Sequence, residues 1–180
     1  MLSKNMMRTL VKLVCLRCKR SLLAAALCVV VSQAVAAEDA REITESEDRP
    51  VAIVVHPDTD ISNLTMQELR GIFLAEQQYW PDKSRIVLLV RAPAAYERTF
   101  VLNRIYQMDE AEFRRYWIKK MFRAEIPSGP RVVFSSNMAL GLVTAIPGSI
   151  TFMLASDVGP EVKTVRIDGK LPNEPGYPLE

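Results

Sequence analysis

The chain has 180 residues, 49% of them hydrophobic and 24% charged, with a formal net charge of +2. That length suffices for one domain with a real core and hardly for two. A single His and three Cys leave no cluster from which a His/Cys metal centre could be built.

The positive charge is confined to one end. Lys4, Arg8, Lys12, Arg17, Lys19 and Arg20 fall within the first 20 residues, which hold no acid. "SLLAAALCVVV" then supplies an apolar run, and "SQAVAAEDA" supplies small residues in an A-x-A arrangement at Ala34 and Ala36. A basic segment, a short apolar segment and a small-residue cut site read as a secretory signal peptide over 1–36. The apolar run is well short of the roughly 20 residues a spanning helix needs, and Leu27 before Cys28 argues against a lipid anchor. Cleavage near Ala36 or Ala37 removes those six bases, leaving 17 Lys and Arg against 21 Asp and Glu, a net charge of about −4. Nothing then favours nucleic-acid binding. Cys15, Cys18 and Cys28 leave as well, so a thiol nucleophile and a disulfide are excluded from the mature part. The expectation is a periplasmic or secreted protein with no membrane span after cleavage.

"AEDAREITESEDRP" (37–50) is acidic and aperiodic, and reads as a disordered leader. The domain is expected over 51–179. "VAIVV" at Val51 to Val55 is a continuous β-branched run, hence a buried strand stopped by His56-Pro57. The next segment carries a helix start: Thr65 as N-cap, Glu68 three residues on, and Leu64 and Leu69 at the staple positions. "RIVLLV" (85–90) is a second buried strand. Pro93 to Met108 reads as one helix, with Ala94, Val101, Ile105 and Met108 on one side. Asp109 and Glu112 open another, whose Phe113, Trp117 and Met121 recur every four residues. "RVVF" is a third strand, and "SSNMALGLVTAIPG" a helix capped by Ser135 or Ser136. "SITFML" and "VKTVRID" are the fourth and fifth strands, and the proline-rich tail is extended. Alternating strands and helices predict an α/β fold, a compact three-layer sandwich with a mostly parallel sheet.

Several residues follow a familiar order: Asn63-Leu64-Thr65, Leu69, Ile72-Phe73, Trp80-Pro81-Asp82, Ile86, Arg91, Phe100, Tyr116-Trp117, Pro147-Gly148, Ile150, Phe152 and Gly176-Tyr177-Pro178-Leu179. Over Val51 to Leu179 the chain resembles the periplasmic phosphate-binding proteins of ABC uptake systems, and more closely their small, shortened relatives. The resemblance implies one lobe of a type II periplasmic binding protein. It also implies a non-enzymatic role in transport or sensing, a small phosphate-like anion as ligand and a membrane transporter or sensor as partner. In full-length members the anion sits between two lobes. The first contributes a Gly/Ser/Thr segment that has no counterpart before Val51. The second contributes an arginine, matching Arg91, and a D-G-S-G-T turn. That turn aligns with Ala92 to Glu97, one residue shorter and without any Gly, Ser or Thr. The family's F-x-G reads Phe73-Leu74-Ala75 here.

The candidate ligand-binding residues are therefore Arg91, with the backbone of Ala94, Ala95 and Tyr96, and Ser135 and Ser136. A guanidinium beside N–H groups at a helix start can hold an anion without hydroxyl side chains. The competing reading of Arg91 is an ion pair with Asp58 or Glu97. That of Ser135 and Ser136 is ordinary capping. His56 reads as structural or rim-exposed. Trp80, Tyr116, Trp117 and Phe122 read as packing residues, and the basic flank from Arg114 to Lys120 as a solvated face. No catalytic constellation, metal site or cofactor loop is apparent. The alternative to anion recognition is a periplasmic interaction module that has lost its ligand.

Overall fold

In the computed structural model, which describes residues 49–180, the run Val51–Val55 is a strand, β1, buried at every position. The expected signal segment and nearly all of the acidic leader lie outside the described residues. Strand geometry sends alternate side chains to opposite faces. Val51, Ile53 and Val55 accordingly join one apolar cluster, and Ala52 and Val54 another. A strand apolar on both faces belongs inside a sheet covered on both sides, and that is where β1 lies.

After β1 come β2 (Asn63–Leu64), α1 (Met66–Phe73), β3 (Val87–Arg91), α2 (Tyr96–Val101) with a π-helical turn (Leu102–Tyr106), α3 (Glu110–Phe122), β4 (Arg131–Val133), α4 (Ser136–Ala145), β5 (Ser149–Leu154), β6 (Lys163–Thr164) and β7 (Arg166–Ile167). The main sheet has the order β4-β3-β5-β1-β6. β3 pairs in parallel with β4 and β5, and β1 pairs antiparallel with β5 and β6. All its strands but β1 therefore point one way, giving the mostly parallel sheet the sequence implied. α4 covers one face through Ala139 and Val143, while α1, α2, the π turn and α3 cover the other with Leu69, Phe73, Val101, Ile105 and Phe113.

The capping signals are realised. Thr65 and Glu68 exchange both capping-box hydrogen bonds, as do Asp109 and Glu112, and Ser135 accepts from the Met138 N–H.

Three local expectations are corrected. The helix expected over Pro93 to Met108 starts only at Tyr96, because Ala94 takes a left-handed backbone (φ 72°) in the preceding turn. It then widens into the π turn and stops at Gln107, also left-handed. "VKTVRID" is two strands: β6 extends the main sheet, and β7 turns aside to pair in parallel with β2. Between them Val165 is fully buried, its N–H donating to the Ile53 carbonyl. Phe122 is not a packing residue; it is 92% exposed at the end of α3.

Gly148 is required by its surroundings. Its φ is +74°, and a Cβ there would lie 2.4 Å from the Arg85 carbonyl oxygen. Its own carbonyl accepts from the Trp80 indole at 2.9 Å, which explains why Trp80 is buried.

Candidate functional site

β3 ends in Arg91 at the carboxyl end of the parallel strands, the edge where open α/β sheets place their ligands. There Arg91 does not face solvent. Its Nε donates to Glu97 Oε1 at 2.5 Å, and both side chains are nearly inaccessible, 11% and 6% exposed. Of the two acids compatible with a strand-end ion pair, the partner is Glu97, in the first turn of α2.

The pair is part of a larger polar group. Arg98 donates from Nη1 to the Arg91 carbonyl at 2.6 Å and makes a two-pronged contact with the Glu110 carboxylate. Its guanidinium carbon also stands 4.8 Å from the centre of the Phe113 ring. The hydrogen bond from Arg98 holds the Glu110 carboxyl below its ordinary titration range. Two arginines and two glutamates thus balance one another at the β3–α2 junction. One donor is left over: Arg91 Nη1 is buried and has no partner among the described residues.

The turn between Arg91 and α2 supplies only backbone. Ala95 is the helix N-cap and has no capping side chain, and its N–H is used in a weak turn bond to the Ala92 carbonyl at 3.4 Å. Ala94 holds the left-handed conformation, and the Tyr96 ring is 40% exposed beside Phe100.

No family model and no curated protein matches the sequence. Solved structures do match the fold. An ABC-type phosphate transport receptor from Vibrio cholerae aligns with a TM-score of 0.59 at 18% identity, over 73% of this chain and 53% of that one. A putative phosphate ABC transporter substrate-binding protein from Clostridium perfringens, solved with bound phosphate, gives 0.57 at 16% identity over 69% and 47%. PstS from Borrelia burgdorferi gives 0.57 at 15% identity over 73% and 54%. The fold is that of a phosphate-binding-protein lobe. The chain spans about half the length of these structures.

Within this phosphate-binding-protein fold, β3 and β4 are parallel neighbours, with Arg91 opposite Val133. The candidate residues Arg91, Ala94, Ala95 and Tyr96 after β3, and Ser135 and Ser136 after β4, therefore share one end of the sheet. The serines are used locally: Ser135 caps α4, and Ser136 Oγ donates to Asp157 Oδ2 at 2.5 Å. Phe134 and Met138, at the same end, are 74% and 41% exposed.

His56 is buried, and its Nδ1 accepts from the Asp58 N–H at 3.1 Å. Among the described residues no group of His, Cys, Asp or Glu is placed to hold a metal ion. No helix among them is long and apolar enough to cross a membrane. Arg98 and Glu110 were not singled out from the sequence. They sit 12 residues apart, across a π turn, and no local spacing pairs them.

Proposed function

We propose that this protein is an exported, non-enzymatic domain of solute-binding-protein type that docks onto a membrane transporter or sensor. Its anion position is filled from within by Glu97. One observation carries the reading: the Arg91 guanidinium, which the family resemblance assigns to the ligand, is bound to a buried carboxylate of the same chain. A phosphate entering there would have to displace Glu97 or lie against it, and like charges in a poorly solvated site repel strongly. The side chains that could offset this are missing, since the turn is built of alanines and proline. Export rests on the basic, apolar and small-residue order of the first 36 residues. The exposed Tyr96, Phe134 and Met138 beside the filled site offer apolar surface to a protein partner.

A second reading, weak recognition of phosphate, has its own support in the unpartnered Nη1 of Arg91. Titration calorimetry with phosphate and sulfate separates the two. The native protein should give no binding heat at millimolar anion. Glu97→Gln should gain weak binding, and Arg91→Ala should show none. Saturable heat in the native protein, lost in an Arg91→Ala variant whose circular dichroism remains that of the folded protein, would establish the anion reading and overturn the first. Affinity capture from a membrane fraction should recover a transporter or sensor component, and that capture should weaken when Phe134 and Met138 are replaced by serine. Capture that ignores both substitutions would remove the docking surface from the proposal.

A further inference from the structure

The opposite end of the same strands holds a cleft that the reading above does not use. The segment linking α3 to β4 crosses the start of β3 and encloses about 230 Å³. That is a little below the roughly 300–1,000 Å³ of sites for drug-sized ligands. One wall is apolar, built by Ile86, Leu88, Ile126 and Pro130. The polar side chains lining it include Trp117, Arg85 and Arg131, and no acid lines it.

Each of these three lacks a partner. Trp117 is 6% exposed, and its indole Nε1–H is buried without an acceptor among the described residues. A buried indole N–H ordinarily finds one; that of Trp80 bonds the Gly148 carbonyl. Neither Arg85 nor Arg131 has a carboxylate within ion-pair reach among the described residues. Arg91 and Arg98, by contrast, are both neutralised internally.

We propose that this cleft is a binding site for a small carboxylate with a compact apolar body, such as an aromatic or branched-chain acid. A carboxylate can take a guanidinium in two-pronged fashion and places acceptor oxygens beside Trp117, which lines the cleft. The apolar body would cover the Ile86, Leu88 and Ile126 wall, which an inorganic anion would leave unmatched. Leu88 precedes Arg91 by three positions along β3, about 10 Å at strand rise. The site is therefore distinct from the one closed by Glu97.

The test uses benzoate as probe, benzamide as its neutral counterpart and inorganic phosphate as a bare anion. The readout is nuclear magnetic resonance of the two tryptophan indole N–H groups, with Trp117→Phe fixing the assignment. Benzoate should shift the Trp117 resonance saturably in the millimolar range or below and leave that of Trp80 in place. Benzamide should bind about tenfold more weakly, and phosphate should not displace benzoate. Arg85→Gln and Arg131→Gln, both at exposed side chains, should each weaken binding while the spectrum stays that of a folded protein. Overturning results would be no saturable shift, equal affinity for benzamide, or displacement by phosphate.

Discussion

Arg91 and Glu97 are six positions apart, beyond the i,i+3 and i,i+4 neighbours that meet on a helix. They meet because the intervening turn reverses the chain through a left-handed Ala94. The sequence therefore showed the arginine and left its partner open between Asp58 and Glu97. The turn geometry decides it. An L-residue in that conformation costs roughly 1–2 kcal/mol. Ala94→Gly relieves that strain but adds the chain entropy of glycine. The expected net gain is about 0.5–1 kcal/mol, read as a higher urea midpoint. A lower midpoint would mean that Ala94 makes contacts outweighing its strain.

The ion pair itself makes a sharper prediction. Glu97→Ala leaves a buried guanidinium without its counter-charge, and breaking one side of a buried pair costs about 3–5 kcal/mol. Arg91→Met combined with Glu97→Leu removes both charges and fills the space, so it should cost much less than Glu97→Ala alone. Urea denaturation of the two variants checks this. A double variant as unstable as the single one would show that the pair acts through shape rather than charge compensation.

Among the elements, those with a self-contained signal were legible. Thr65-Glu68 and Asp109-Glu112 each mark a helix start by residues three apart, and both capping boxes form. Elements that depend on distant partners were not. β2 exists because Asn63 and Leu64 meet Arg166 and Ile167, about a hundred residues on in the chain, and nothing in "ISNLTM" announces a strand. The break between β6 and β7 has the same origin. The π turn arises inside a segment whose apolar spacing looked helical throughout, and it sets the path by which Arg98 reaches Glu110.

That last contact is open to a pH test. Arg98 lowers the Glu110 pKa in the folded state. A depressed carboxylate contributes stability above its unfolded pKa and loses it as pH falls through the folded value. The melting temperature of the native protein should therefore exceed that of Glu110→Gln near neutral pH. The gap should close as pH drops through and below the carboxylate range. Glu110 is 42% exposed, so the effect should also shrink in high salt. A gap independent of pH would assign the loss to packing around Phe113 instead.

At the scale of the whole molecule, the two ends of the described chain close the sheet together. The tail read as extended from its prolines, and its role was not visible, because it depends on where β1 begins. The Val51 N–H donates to the Leu179 carbonyl at 2.8 Å, and the Tyr177 hydroxyl donates to the Val51 carbonyl at 3.0 Å. Both Tyr177 and Leu179 are buried in the same cluster as Val51, Phe73 and Phe152. Burial pushes the Tyr177 hydroxyl well above its ordinary pKa of 10.0. A raised pKa means that its contribution is complete below the unfolded value and is lost as pH climbs above it. Removing 176–180 would expose one side of the central cluster and leave the first backbone groups of β1 unpaired. Losing even one large buried side chain costs about 2–5 kcal/mol, against a total stability of roughly 5–15 kcal/mol for a domain. The truncated protein should therefore lose its cooperative melting transition or unfold at far lower urea. Tyr177→Phe keeps the ring and removes only the hydrogen bond, so it should cost about 1 kcal/mol and remain folded. Should the truncation melt like the native protein, the sheet would be closed by β6 and β5 alone and the tail would be dispensable.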